Sequence, residues 1–144
     1  MKFEMINNFD SQYKFNNQAI YDIILQISQN ENKRFESLNL IISTDEYLNE
    51  LKKTYFNQDY YTDVITFNLE DPNELIEGEI YISMARIIDN AHQFNVGLND
   101  ELKRIIIHGV LHLIGYNDIE KHEKQNMTKL ENQYMALKSQ LILN

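Results

Sequence analysis

Cysteine is absent from this chain of 144 residues, and proline and glycine are scarce, with one and four residues. The lack of cysteine excludes a disulfide scaffold, a thiol nucleophile and any metal site built on thiolates. The scarcity of proline and glycine excludes collagen-like and low-complexity chains. No apolar run approaches the ~20 residues of a membrane span, and the first four residues, M-K-F-E, do not resemble a signal peptide. We therefore expect a cytoplasmic protein without a membrane partner.

Basic residues are fewer than acidic residues. The chain has 13 lysines and arginines and 22 aspartates and glutamates, which gives a formal net charge of −9. Proteins that bind nucleic acids usually carry a basic surface, so the overall charge disfavours a polyanionic partner. The content of 43% hydrophobic and 24% charged residues is typical of a globular protein. The length predicts one domain over residues 1–144.

Hydrophobic periodicity predicts an α+β fold, in which one small mixed β-sheet packs against helices. Thr44 and Asn99 precede acidic residues and are predicted to be helix N-caps. The apolar stripe of the last helix, from Met127 to Leu141, is interpreted as core or as a partner surface and not as part of a chemical site. Strands are predicted over 2–6, 35–43, 63–68 and 78–83, and helices over 16–28, 45–55, 84–94, 100–114 and 120–141.

One segment carries a pattern that points to chemistry, and it reads H-G-V-L-H-L-I-G-Y-N-D over residues 108–118. His108 and His112 are four residues apart, so on a helix their Cβ atoms lie about 5–6 Å apart and both rings reach one metal ion. Gly115 tolerates the left-handed conformation in which helices end, and the reversal brings Asp118 within reach of the same ion. A metal site at the end of a central helix is therefore predicted. Two histidines and one carboxylate leave one position of a zinc ion open for water, whose pKa falls to about 7.

Two features of this segment leave alternatives open. The histidines lie among apolar residues, Ile105–Ile107 and Val110–Leu113, and without a metal they are packed side chains with other polar partners. Gly109 occupies the position at which zinc proteases of the H-E-x-x-H type have their general base, so peptide hydrolysis by that mechanism is not expected. Gly109 either allows close packing against a neighbouring element or leaves room for a bulky substrate beside the metal.

The same segment resembles the signature H-G-x-L-H-L-x-G-Y-D-H of the YbeY-like rRNA maturation factors, which are metal-dependent endoribonucleases. Two further blocks are similar to that family. T-D-V-I-T-F at 62–67 resembles its T-D-V-L-S-F, and G-E-I-Y-I-S at 78–83 resembles its G-D-I-x-I-S strand. The resemblance extends from about Leu48 to Tyr134. It implies a zinc-dependent endoribonuclease that acts in rRNA maturation and ribosome assembly, with one Zn²⁺ per chain.

The resemblance places the zinc ligands at His108, His112 and Asp118. The third ligand is a departure, because the family usually has histidine at this position. A carboxylate is a chemically acceptable replacement, since its oxygen binds zinc at about 2.0–2.2 Å. His122 is the alternative third ligand, one turn into the following helix. We prefer Asp118 because it stands at the spacing of the family.

A second departure concerns an arginine that the family uses for RNA cleavage and that is replaced here by Phe56. Arg104 is the candidate phosphate-binding residue in its place, because it precedes His108 by four residues and shares its helix face. A guanidinium can bind phosphate through two hydrogen bonds and stabilise developing charge. Lys52 and Lys53 are weaker candidates and are interpreted as part of a solvated face.

The expected partner is rRNA or its precursors, and no DNA is expected. Because the net charge does not favour RNA, we expect a ribosomal protein to position the enzyme. Tyr60 and Tyr61 either stack on unpaired bases or belong to the core or to an edge strand. Two other functions remain open: a non-catalytic ribosome-assembly factor with a structural metal, and a metal hydrolase that acts on a substrate other than nucleic acid.

Overall fold

The computed structural model describes residues 1–144. Its elements are β1 (Lys2–Asn7), α1 (Asn17–Asn30), β2 (Phe35–Ser43), α2 (Asp45–Phe56), β3 (Val64–Asn68), β4 (Ile76–Ser83), α3 (Met84–Phe94), α4 (Leu98–Leu113) and α5 (Lys121–Met135). The strands form one sheet in the order β1-β2-β4-β3. The first three of these run parallel and β3 is antiparallel to β4. The predicted α+β fold with a small mixed sheet is confirmed.

Helix α4 occupies the centre of the molecule and contacts α1, α3, α5, β3 and β4. Its buried apolar side chains belong to one core cluster with apolar side chains of α1, β2 and β4. Gly109 of α4 lies against β4, and a Cβ atom at this position would be 3.1 Å from Ile80 Cγ2. The structure therefore favours close packing as the reason for this glycine. No helix has both the length and the hydropathy needed to span a membrane.

The helix N-termini agree with the predicted caps in one case and differ in the other. The side chain of Thr44 accepts a hydrogen bond from the N–H of Tyr47 at 3.1 Å, as predicted for the start of α2. The cap predicted at Asn99 is wrong, because α4 begins two residues earlier than predicted, at Leu98, and its N-cap is Gly97. Asn99 Oδ1 instead accepts hydrogen bonds from two N–H groups near the C-terminus, at 2.8 and 3.1 Å. The side chain of Asn99 therefore binds the backbone of Ile142 and Leu143 and does not cap the helix.

The last helix ends six residues earlier than predicted, at Met135 instead of Leu141. Lys103 of α4 donates hydrogen bonds to the carbonyl groups of Met135 and Leu137 at 3.5 and 3.1 Å. The chain then leaves the helical path, so that Ile142 is buried whereas Leu141 is 64% exposed. The predicted apolar stripe therefore does not extend to Leu141, because contacts with α4 end the helix.

Candidate metal centre

The C-terminus of α4 is a tight reversal that depends on Gly115. This glycine has a φ of +114°, a conformation that residues with a Cβ atom rarely adopt. The N–H groups of Gly115 and Tyr116 donate to the carbonyls of His112 and Leu111, both at 3.0 Å. This pair of hydrogen bonds is the Schellman motif. The predicted stop at Gly115 is confirmed, and the reversal brings Asp118 back to the end of the helix.

Three side chains converge at this end of α4. The Nε2 atoms of His108 and His112 lie 3.0 Å apart. Asp118 Oδ2 lies 3.4 Å from Nε2 of His108 and 3.3 Å from Nε2 of His112. One ligand atom from each residue therefore falls within a group that is compact enough to hold one metal ion. The structure brings together the three residues that the sequence indicates.

The hydrogen bonds of the Nδ1 atoms of His108 and His112 determine whether their Nε2 atoms carry a proton or a lone pair. His108 Nδ1 lies 2.9 Å from a carboxylate oxygen of Glu131, and His112 Nδ1 lies 2.9 Å from the carbonyl oxygen of Tyr116. Both partners are acceptors, so both Nδ1 atoms carry the proton and donate. In the neutral rings, the two Nε2 atoms then present lone pairs, and they face each other and the Asp118 carboxylate. Such an arrangement is repulsive unless a metal ion, or a proton on one of the Nε2 atoms, lies between the three atoms.

The separations of the ligand atoms also suit a metal ion. A tetrahedral ion with bonds of about 2.0–2.2 Å holds its ligand atoms roughly 3.3–3.6 Å apart. The distances of 3.3 and 3.4 Å that involve Asp118 lie in this range, and the distance between the histidines is slightly shorter at 3.0 Å. Imidazole nitrogens in such a set suit zinc and other late transition metals. The residues present therefore fit a metal ion with an open coordination position.

Behind His108, a network of charged side chains fixes the ring. Glu131 of α5 is buried, and its second carboxylate oxygen accepts a hydrogen bond from Arg104 Nη1 at 3.0 Å. Arg104 also donates from Nε and Nη2 to both oxygens of the buried Glu101, at 3.0 and 2.6 Å. Carboxylates that receive the Nδ1 proton of a ligating histidine orient the ring and raise its basicity. The chain Glu101–Arg104–Glu131 thus positions His108.

The pKa values of this network follow from its contacts. Burial raises the pKa of Glu131, but its hydrogen bonds and ion pairs with His108 and Arg104 outweigh this effect and hold the pKa below its usual range. The hydrogen bonds of Arg104 to Glu101 raise the pKa of the guanidinium further above its already high value, against the effect of burial. At neutral pH the acceptor of the His108 proton is therefore ionised.

The ligand atoms lie in a pocket of about 290 Å³. The wall opposite the metal ligands consists of β3 and the residues before it, together with Lys52 and Phe56 from the end of α2. Phe56, which replaces the arginine implied by the resemblance, is 42% exposed and lines this pocket. The pocket therefore joins two of the three blocks that resemble the family, 62–67 and 108–118, whereas the third block, 78–83, does not line it.

Two of the sequence-based candidates lie elsewhere. The side chain of His122, the alternative third ligand, is 77% exposed, and its Nδ1 is 3.5 Å from Glu120. It is not part of the group formed with the metal ligands. Arg104, the candidate for phosphate binding, does not line the pocket. Its donors are engaged by Glu101 and Glu131, so the structure gives it the positioning function described above instead.

Glu131 was not identified from the sequence, and the interpretation of the last helix as core or partner surface is incomplete. A signal was nevertheless present. Met127, Glu131 and Tyr134 follow one another at positions i, i+4 and i+7, and all three are buried. A carboxylate on the apolar face of an amphipathic helix needs a charged or hydrogen-bonding partner in the core. The sequence does not say that this partner is His108.

Comparison with known proteins identifies a family and relatives of this chain. The model of the family described as Endoribonuclease YbeY matches residues 5–138. A protein named Endoribonuclease YbeY from Amoebophilus asiaticus is 42% identical over 127 residues, which are 88% of this chain and 86% of the relative. The protein of that name from Cytophaga hutchinsonii is 38% identical over 141 residues, or 96% of this chain and 99% of the relative.

The fold has a counterpart among solved structures. The solution structure of TM1509 from Thermotoga maritima superposes with a TM-score of 0.60 at 24% identity and covers 92% of this chain and 86% of that protein. This similarity concerns the fold, whereas the relationship rests on the family match and on the identity with full-length relatives. From these matches, we conclude that the chain belongs to the Endoribonuclease YbeY family.

Proposed function

We propose that this protein is a zinc-dependent endoribonuclease that cleaves rRNA precursors, with His108, His112 and Asp118 as the zinc ligands. One observation supports this proposal above all others: two Nε2 lone pairs and a carboxylate oxygen converge in a pocket, while both Nδ1 protons are used elsewhere. The names of the relatives, all endoribonucleases, give the reaction class.

The residues of the chain have distinct parts in this mechanism. When bound, zinc supplies Lewis acidity at the scissile phosphodiester and lowers the pKa of water. Glu131 and the carbonyl of Tyr116 keep the two imidazoles in the tautomer that exposes Nε2. Asp118 adds a negative charge to the site, which a histidine would not, and makes the site less electrophilic. The pocket wall of β3 confines the substrate on the side opposite the metal ligands.

The charge of the protein bears on how RNA reaches the site. With a net charge of −9, the field of the whole protein repels a polyanion. We propose that a ribosomal protein positions this enzyme on its rRNA substrate, so that affinity does not depend on a broad basic surface. Binding to RNA alone is then weak, and it strengthens on a pre-ribosomal particle.

The ligand set is tested by the metal content of protein purified without a histidine tag. We expect about one zinc per chain in the wild type, and a loss in both His112→Ala and Asp118→Ala. His122→Ala is the matched control, because His122 is exposed and outside the cluster. Zinc retained by Asp118→Ala but lost by His122→Ala would contradict the assignment of the third ligand.

The activity is tested with the same proteins on a single-stranded RNA that carries an rRNA precursor sequence. We expect cleavage by the zinc-loaded wild type and by His122→Ala, and none by Asp118→Ala or after chelation. If the zinc-loaded protein cleaves no RNA and unfolds when zinc is removed, the metal is structural and the protein is an assembly factor. Cleavage of a small phosphodiester or amide without cleavage of RNA would indicate a different hydrolase.

A further inference from the structure

Lys52 is the one lysine or arginine that lines the metal pocket. It lies on α2, one turn before Phe56, and is partly buried. It takes part in none of the ion pairs of the protein, whereas its neighbour Lys53 lies 3.5 Å from Glu50 and 3.9 Å from Asp59. Other lysines and arginines of the chain also lack a carboxylate partner, and what distinguishes Lys52 from them is its place in the lining of the metal pocket.

Two aromatic rings hold this cation in place. Lys52 Nζ lies 4.7 Å from the centre of the Phe56 ring and 5.3 Å from the centre of the Tyr60 ring. Both distances are within the range of cation–π attraction. Aromatic faces orient an ammonium group without neutralising it, so its full charge remains available to an anion. Phe56 stands where the family usually has an arginine, and the ammonium group of Lys52 lies over the ring of this phenylalanine. Lys52 thus supplies a positive charge close to the position of the missing arginine.

The carboxylates that line the pocket favour a cation beside them. The lining includes the carboxylates of Asp63 and Asp118. Of these, Asp63 accepts a hydrogen bond from Asn90 Nδ2 at 3.1 Å, so it has a neutral partner and no cation. With zinc bound, Asp118 faces a cation, and the negative charge that a phosphodiester meets in this pocket is that of Asp63. Arg104 cannot offset it, because its guanidinium is bound to two buried glutamates outside the pocket.

We propose that Lys52 is the phosphate-binding residue of this enzyme: it contacts a nonbridging oxygen of the RNA backbone while the adjoining phosphate lies at the metal ligands. Phe56 and Tyr60 position the ammonium group for this contact. The inference rests on the proposed function, since it presumes an RNA substrate. It prefers the phosphate-binding role for Lys52 over a solvated face and keeps the solvated face for Lys53.

The test compares three variants with the wild type, all loaded with zinc and with their zinc content measured. Lys52→Met removes the charge and keeps the unbranched stem, Lys52→Arg keeps the charge, and Lys53→Met is the matched control. We expect Lys52→Met to lower kcat/KM for a single-stranded RNA by about 10- to 100-fold, as for the loss of a hydrogen bond to a charged group. Lys52→Arg should recover most of this loss, and Lys53→Met should remain within about twofold of the wild type.

A second measurement separates phosphate contact from a structural effect. The affinity of the chelator-treated, zinc-free proteins for the same single-stranded RNA, which they do not cleave, is followed against salt concentration. Each phosphate contact to a single strand contributes about 0.7 to the slope of log K against log salt. We therefore expect the slope of Lys52→Met to be shallower by about 0.7, and the slope of Lys53→Met to be unchanged.

The outcomes distinguish this inference from the proposed function. Absence of RNA cleavage by the fully zinc-loaded wild type would refute the proposed function. If the wild type cleaves RNA but Lys52→Met behaves like Lys53→Met in rate and in salt slope, the role of Lys52 is refuted and the function stands. Loss of zinc in Lys52→Met would likewise refute phosphate binding, because the residue would then act through the metal site.

Discussion

Replacing Glu131 by glutamine tests whether the network behind His108 tunes the metal centre. The carboxylate of Glu131 accepts from His108 Nδ1 at 2.9 Å and from Arg104 Nη1 at 3.0 Å. Glutamine has one acceptor and one donor in place of two acceptors. If its oxygen faces the imidazole, its amide N–H groups meet the guanidinium donors of Arg104. If its amide faces the imidazole, the ring must move its proton to Nε2, where the metal binds.

The magnitude follows from either arrangement. Partners that orient a ligating histidine typically contribute 10- to 100-fold in metal affinity, which corresponds to about 1.4–2.7 kcal/mol. The loss of a hydrogen bond to a charged group also lowers the free energy of unfolding of the metal-free protein by about 1.5–3 kcal/mol. The side chain of Glu131 is only 9% exposed, so water compensates little of this loss. Glu131→Gln should therefore be weaker in metal binding and less stable.

Zinc affinity is measured by competition with a chromophoric chelator, and stability is measured by urea unfolding of the metal-free protein. The control is Glu50→Gln, whose carboxylate is 69% exposed and pairs with Lys53 at the surface. The control should leave both quantities within error of the wild type, since exposed ion pairs contribute little. A zinc affinity of Glu131→Gln within twofold of the wild type would refute the argument that this carboxylate sets the tautomer of His108.

Two other predictions concern the helix end and the sheet. Gly115→Ala should destabilise the protein by about 1–3 kcal/mol, because alanine is strained at a φ of +114°; urea unfolding with a midpoint equal to that of the wild type would contradict this. Burial, reinforced by Glu79, raises the pKa of Tyr81 from its ordinary value near 10 to about 12. The half-buried phenol favours its protonated form in the folded protein, so its contribution to stability is complete below pH 10 and is lost as the pH rises from 10 to 12. Subtracting the alkaline absorbance titration of Tyr81→Phe from that of the wild type should isolate a tyrosine that ionises near pH 12, and a difference centred at pH 10 would exclude the predicted shift.

The local sequence by itself determined the helix cap at Thr44, the helix end at Gly115 and the convergence of the three predicted metal ligands. The spacing of His108 and His112 places both on one helix face, and Gly115 three residues later allows the reversal that returns Asp118. The same applies to the cap at Thr44, because an N-cap binds an N–H group only three residues away. These features could be predicted because they depend on backbone geometry over about one or two helical turns.

The tertiary structure decided what depends on residues that are distant in the chain. Glu131 lies 23 residues after His108 and becomes its partner only because α5 packs on α4. Lys52 reaches the metal pocket because the end of α2 lies beside β3. Asn99 does not cap α4, because its side chain accepts hydrogen bonds from a segment more than 40 residues away in the chain. Local preferences for a cap or a helix amount to about 1 kcal/mol, so contacts between distant elements readily override them.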